Sequence, residues 1–408
     1  MSEFNGLLQR AENHPIRPVV GLAWSLALVG LLIRWHDHYP IDLDVYRLGG
    51  LAWLTGNPLY SGFTGPPLDP GLPFTYPPLA AVSFSAMSFV PGWALNPLLL
   101  TAGFVALTAV CVTVAGRVRP GLRWTLGPVA PIAALALDPV ESTFGYGQIN
   151  LLLLGLVVVD CLAVTDRRFR GALVGVAAAV KLTPLIFVLY FLVRRDWRAA
   201  LTAAATSAGL AVVGFLVAPR DSVQFWFHAM VNPERISGVA LQANQSIQGL
   251  LRGLGLEPGT RSLLWVVLSV VAVAAAAFVA WRTDDDVVAL FVIAAAGLLA
   301  SPVSWLHHWV WCVPVLLLLA LRGHWPMFVI VTAVFMIPVH EVDGYVALAA
   351  VALSVLAYRS RIVVQDRCGY LQSQHQPPPH RRLDLSVQPQ LGERGQQRAN
   401  TAIAPDAP

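Results

Sequence analysis

The chain has 408 residues, of which 56% are hydrophobic and only 12% charged, with a mean hydropathy of +0.63. An ordinary soluble domain carries about 25% charged residues, so the composition excludes a soluble enzyme and points to an all-α polytopic membrane protein. The net charge of +4 comes from arginines in loop clusters and in the tail; it reads as a topology signal, and no nucleic-acid partner is expected.

A membrane span needs about 20 predominantly apolar residues. Apolar runs fall at roughly 17–35, 78–91, 96–115, 124–138, 148–165, 171–193, 199–217, 263–281, 287–300, 304–321, 326–340 and 344–358. The first lacks a small-residue cleavage site and is expected to be retained as a span. Two runs are poor simple spans. Residues 78–91 are short and end at Pro91-Gly92, and residues 171–193 carry Lys181 and Pro184 at the centre. A charge and a helix breaker are both costly there, so both runs are expected to be broken or re-entrant. The result is a bundle of about 10–12 helices, ten of them full crossings, with both termini in the cytoplasm. Fifteen arginines then lie in cytoplasmic loops against five (Arg47, Arg220, Arg235, Arg252 and Arg261) on the other face. That is the bias of the positive-inside rule. The expected organisation is a cytoplasmic segment 1–16, a multi-pass domain 17–361 and a disordered cytoplasmic tail 362–408.

This topology gathers the polar motifs on the non-cytoplasmic face. They are the loop from His36 to Ala81 with Asp42 and Asp44, the stretch Asp138–Asn150, the loop from Arg220 to Arg261, the segment from Ser301, and HEVDG from His340. Carboxylates just past a membrane exit are costly and mark functional sites. His307 and His308 sit among Trp305, Trp309 and Trp311, a setting that suits a lipid phosphate or a sugar as well as an interfacial anchor. Cys111, Cys161 and Cys312 lie in apolar runs and Cys368 beyond the last one; no spacing for a metal or disulfide framework is present. Asp42-Leu43-Asp44 spells the DxD of metal-dependent nucleotide-sugar enzymes, but no phosphate-binding Gly-rich loop accompanies it. No metal and no cofactor are expected.

Several motifs occur in series: DLDVY (Asp42–Tyr46), GNPLY (Gly56–Tyr60), FTYPP (Phe74–Pro78), GQIN (Gly147–Asn150), KLTP (Lys181–Pro184), NQS (Asn244–Ser246) and SPVSWLHHW (Ser301–Trp309). In this order they resemble the actinobacterial polyprenol-phosphate-mannose-dependent α-mannosyltransferases of the GT-C superfamily, over roughly residues 17–358. The tail has no counterpart in that pattern. The resemblance implies a multi-pass plasma-membrane enzyme with its active site on the extracytoplasmic side. Its donor would be polyprenyl-phosphate-mannose. The acceptor would be a mannosylated glycolipid: a phosphatidylinositol mannoside, lipomannan or lipoarabinomannan. It also implies an acidic general base in the first outer loop, at the position of Asp42.

A carboxylate in hydrogen-bond reach of a sugar hydroxyl can take its proton as the new bond forms. Attack opposite the leaving phosphate inverts a β-linked mannosyl phosphate to an α-mannoside, and the links expected from the resemblance are α-1,2. Charge developing on the phosphate needs cations or hydrogen-bond donors; the candidates are His307, His308, Arg47 and Lys181. Tyr46, Tyr76, Gln148, Asn150, Asn244 and Gln245 are candidates for sugar contact. Simpler roles compete with these. Asp44 could cap a helix, Lys181 could snorkel to headgroups, the four amides could bond loop backbone, and Asp160 reads as structural. A GT-C enzyme using another donor such as a polyprenyl-phosphate arabinose, or a flippase of lipid-linked sugars, are the alternative functions.

Overall fold

The computed structural model describes residues 16–60, 72–230, 243–336 and 343–358. The N-terminal segment, the tail expected beyond Arg361, Cys368 and most of HEVDG lie outside the described residues. Among the described residues the chain is helical, and its β-type pairing is an isolated bridge between Asn244 and Trp305.

The helices in chain order are α1 (Arg17–Arg34), α2 (Ile41–Leu54), α3 (Pro78–Phe84), α4 (Gly92–Val118), α5 (Leu126–Ala134), α6 (Asp138–Tyr146), α7 (Asn150–Leu162), α8 (Ala172–Val180), α9 (Phe187–Val193) and α10 (Trp197–Val217). They continue with α11 (Pro219–Gln224), α12 (Ile247–Gly253), α13 (Pro258–Arg282), α14 (Asp286–Ala300), α15 (Cys312–Leu321), α16 (Trp325–Met336) and α17 (Gly344–Tyr358). Four of them, α1, α4, α10 and α13, are long and apolar enough to cross a membrane. The α6–α7 pair, bent by 119°, adds a fifth span if it is counted as one. Six further apolar helical stretches among the described residues run to 10–17 residues.

Their surfaces show what they face. On α1 the exposed side chains Val19, Leu22, Leu26, Val29 and Ile33 recur at helical spacing. Leu263, Val266, Val267, Val270 and Val271 do the same on α13. Such stripes are unfavourable in water and suited to lipid. Inside the bundle α8 lies along α10 and α4 along α7.

The stretch expected to be a loop after the first span is largely helix α2. Its apolar residues Leu43, Val45, Tyr46 and Leu48 are buried, and burial overrides the polar appearance of the segment. Residues 171–193 are broken, as expected. Helix α8 ends at Val180, Lys181 is extended (φ −144°, ψ 125°), and Pro184 starts a 3-10 turn over Thr183–Ile186. Proline disfavours helix in the residue before it and offers no N–H. Asp160 is structural, as expected: its carboxylate accepts the N–H groups of Gly171 (2.7 Å) and Val174 (2.8 Å) at the start of α8.

The bend between α6 and α7 is made at Gly147, where φ is +71°. A Cβ there would lie 2.8 Å from Pro40 Cβ and 2.9 Å from Leu43 Cβ. Glycine therefore allows both the turn and the close approach to the start of α2. Gly147→Ala should destabilise the protein by more than the about 1–3 kcal/mol of one strained residue. Gly56 is the control, with the same φ of +71° and nothing within 4 Å. Thermal unfolding in detergent should rank Gly147→Ala well below Gly56→Ala.

Candidate active site

The Gly147 turn delivers Gln148 and Asn150 to two charged residues, Asp42 on α2 and Lys181 at the α8 break. Asp42 lies in the first turn of α2 and is half-buried. Burial raises its carboxyl above the usual carboxylate range; a hydrogen bond from Gln148 and the charge of Lys181 partly offset this. Tyr46, one helical turn along from Asp42, donates its hydroxyl to Gln148 Oε1 (2.8 Å) and lies 3.0 Å from the Tyr76 hydroxyl. Tyr76 is fixed in turn by Tyr60, whose hydroxyl donates to the Tyr76 carbonyl (2.6 Å).

Lys181 turns inward. Its Nζ donates to Asn150 Oδ1 at 3.0 Å, lies 3.2 Å from His308 Nε2, and sits 5.6 Å from the centre of the Tyr76 ring. This is not the snorkelling arrangement: the ammonium finds polar partners inside the bundle. An ammonium has only donors, so His308 Nε2 accepts, while the His308 ring also bonds the Val303 backbone. Asn150 Nδ2 donates to the His307 carbonyl (3.0 Å), which also accepts from Thr143 (3.1 Å). His307 packs edge-on against Tyr146 and His308, and its Nε2 is buried without a hydrogen-bond partner.

Asp42 and Lys181 attract one another but form no ion pair among the described residues. Beside Lys181 runs a cleft of about 560 Å³, counting the space at its mouth. Asn150, Lys181, Ser304 and His308 line its polar part; Leu153, Leu154, Val157, Phe187, Leu298 and Trp311 line the rest. A polar end continuous with apolar walls matches an amphiphile with a charged head and a hydrocarbon chain.

Other expected site residues lie elsewhere. Asp44 is two residues from Asp42, about 200° around the helix, and accepts a hydrogen bond from Tyr39. The pair cannot converge on one ion as a DxD would. Asp44 is also no cap, since Pro40 holds that position without a side-chain bond. Arg47 is exposed on α2. Asn244 and Gln245 take the backbone-bonding role of the two expected for them. Asn244 Nδ2 donates to the Pro302 carbonyl (3.1 Å), and its Oδ1 accepts from Ser304 N–H (2.8 Å). Gln245 Oε1 accepts from Tyr345 N–H (3.2 Å). The Asn244 side chain thereby clamps the segment that carries the histidines, and the Gln245 backbone does the same, its N–H donating to the Ser304 carbonyl (2.8 Å) and its carbonyl accepting from Trp309 Nε1 (3.2 Å). Sequence gives Thr143 no role and Tyr60 none beyond closing the GNPLY motif; Thr143 acts through the His307 carbonyl 164 residues on and Tyr60 through the Tyr76 carbonyl 16 residues on.

Residues 74–302 match the model of glycosyltransferase family 87. The chain belongs to that family. This family 87 chain is 39% identical over 325 residues to the polyprenol-phosphate-mannose-dependent alpha-(1-2)-phosphatidylinositol mannoside mannosyltransferase of Mycobacterium tuberculosis, covering 74% of this chain and 76% of that protein. A protein of the same description from Mycolicibacterium smegmatis is 39% identical over 338 residues, 75% of this chain and 74% of that protein. A phosphatidylinositol pentamannoside mannosyltransferase of Mycolicibacterium smegmatis, with the same donor in its description, is 32% identical over 328 residues, 74% of this chain and 78% of that protein. No solved structure matches the chain. The family bears out the GT-C-type resemblance of the motif series.

Asn150→Ala should leave the Lys181 ammonium and the His307 carbonyl each short of a partner. An unsatisfied buried group costs about 1–3 kcal/mol, so the unfolding midpoint of the detergent-purified variant should drop. Asn150→Asp, which keeps the acceptor for Lys181, should recover part of the loss.

Proposed function

We propose that this chain transfers mannose from polyprenyl-phosphate-mannose to a phosphatidylinositol mannoside, forming an α-1,2 link with inversion on the non-cytoplasmic face. The observation that carries the reading is Lys181, held by Asn150 and His308 at the polar end of a cleft with apolar walls and attracted by the Asp42 carboxylate. An inverting transfer needs a base on one side of the anomeric carbon and a charge acceptor on the other. Asp42 takes the proton of the acceptor hydroxyl as its oxygen bonds to the anomeric carbon. The bond from that carbon to the phosphate oxygen breaks, and the donor leaves as a polyprenyl phosphate monoester.

Lys181 stabilises the departing phosphate. Two of its three N–H groups are directed at Asn150 and His308, which leaves the third for a phosphate oxygen. His307, with its unpartnered Nε2, is the second phosphate ligand in this reading. The apolar walls of the cleft receive the polyprenyl chain. An arabinose donor or a flippase has no specific support in the site. The relatives' descriptions name mannose transfer, and a base beside the cation serves bond formation rather than transport.

The test is transfer of labelled mannose from polyprenyl-phosphate-mannose to phosphatidylinositol mannosides by the purified protein in vesicles. Asp42→Asn should lower the rate by about 10²–10⁴-fold, or roughly 3–5 kcal/mol of transition-state stabilisation, with donor binding retained. Asp44→Asn should cost much less. Full activity in Asp42→Asn would remove the mechanism, and movement of the lipid without a new glycosidic bond would make the protein a flippase.

The ionised carboxylate is the base, and burial raises its pKa. Accordingly kcat/KM should climb with pH along an acid limb lying above the ordinary carboxylate range. The same limb should be missing from the residual activity of Asp42→Asn.

Sidedness rests on the arginine bias. Asp37 is 98% exposed just beyond α1, and Arg168 is exposed in the loop before α8. With native cysteines replaced, Asp37→Cys should react with an impermeant thiol reagent on intact spheroplasts. Arg168→Cys should react only after permeabilisation; the reverse pattern would invert the topology.

A further inference from the structure

Another cleft lies on the opposite side of the Lys181 break. It measures about 290 Å³, counting the space at its mouth, and among the described residues it shares no lining side chain with the cleft beside Lys181. The backbone explains the division. Lys181 is extended (φ −144°, ψ 125°), and extended backbone sends successive side chains to opposite sides. Lys181 therefore lines the first cleft and Leu182 the other. Pro77, directly after the site residue Tyr76, lines the other as well.

The walls come from α3, α8 and α10, which pack on one another. Ala178 and Ala179 on α8 face Ser207, Ala211 and Gly214 on α10, and these small side chains leave a slot that larger ones would close. On the same α10, Val212, Val213 and Leu216 are exposed and apolar, a surface suited to lipid. The slot therefore borders hydrocarbon. Beyond the Gly214 end of α10, Ser222 and Trp226 complete it. Ser222 is 1% exposed, and its Oγ has no hydrogen-bond partner among the described residues. Buried hydroxyls are nearly always paired. Trp226 is carried by a π-helical turn, Phe225–Ala229, a rare geometry that is frequent at functional sites.

We propose that this slot holds one acyl chain of the phospholipid acceptor, whose ester carbonyl accepts a hydrogen bond from Ser222 Oγ. The inference rests on the transferase reading above, in which two amphiphiles meet at one site. The first cleft, with the Lys181 ammonium at its polar end, takes the lipid whose phosphate departs. A polyprenyl chain is hydrocarbon throughout and offers Ser222 no acceptor. An acyl chain has a carbonyl at its head and hydrocarbon beyond it. The slot presents the matching order, Ser222 first, then Ala211 and Ser207 successively farther along α10. With the two lipids on either side of Lys181 and Leu182, acceptor and donor reach the site from opposite directions, the approach that an inverting attack needs.

The test is steady-state mannose transfer by the full chain in vesicles, each lipid varied in turn, for wild type, Ala211→Leu, Ser222→Ala and Val212→Leu. Ala211→Leu fills the slot, whereas Val212→Leu adds bulk to the exposed side of the same helix. Ala211→Leu should raise KM for a diacylated phosphatidylinositol mannoside about tenfold, the loss of roughly two buried methylenes. The donor KM, kcat and transfer to the deacylated headgroup should stay unchanged, and Val212→Leu should match wild type. Ser222→Ala, which removes one oxygen, should raise the same acceptor KM by about 2–10-fold without lowering the unfolding midpoint. It carries the test if Ala211→Leu does not fold. A raised donor KM instead would give the slot to the polyprenyl chain, and an unchanged acceptor KM in both variants would leave it without a substrate; either result overturns the proposal. An equal loss with the deacylated headgroup would move the effect to the catalytic residues and overturn it too. A wild type that transfers no mannose would remove the transferase reading itself, and this inference with it.

Discussion

The arrangement depends on accommodating one ammonium inside an apolar bundle. Lys181 is unfavourable among hydrocarbon side chains unless its N–H groups are met. Asn150 and His308 meet two of them, from α7 and from the turn before α15. Each partner is held in its own right, Asn150 through the His307 carbonyl and His308 through the Val303 backbone. The helix break at Lys181 is thus tied to two other segments. Removing the cation would leave Asn150 Oδ1 and His308 Nε2 without the donor that joins them.

The second requirement is a backbone that can bring polar side chains to that point. Gly147 does this by turning α6 into α7 against the N-terminal end of α2. Gln148 then meets the Tyr46 hydroxyl and Asn150, two residues on, meets the cation. On the far side, Asn244 spends its amide on the segment bearing the histidines and Gln245 spends its own on the Tyr345 N–H. Polar residues near the site therefore divide into those facing Asp42 and Lys181 and those holding the frame.

Much of this was legible in the sequence. The all-helical membrane class follows from hydropathy, and the break at Lys181 from a charge and a proline in one apolar run. The motif series brought Asp42, Tyr46, Tyr76, Gln148, Asn150, Lys181 and the histidines onto one list, and the structure places them together. Asp44 and Arg47 were misleading because the segment looked like a loop, where neighbours can converge; on a helix they diverge. Asn244 and Gln245 could not be sorted by sequence. Their partners lie 58 to 100 residues away, and a polar side chain serving distant backbone looks the same as one awaiting a ligand.

The separation of Lys181 from its partners also bears on biogenesis. Asn150 precedes it by 31 residues and is already in place when Lys181 is synthesised, whereas His308 comes 127 residues later. At about 5–20 residues per second, that interval is on the order of ten seconds. Throughout it the nascent bundle holds a half-satisfied cation. A chain truncated before the last third would therefore contain the base, the amides and the lysine, yet leave the ammonium unfinished, a recognisable mark of an incomplete protein for membrane quality control.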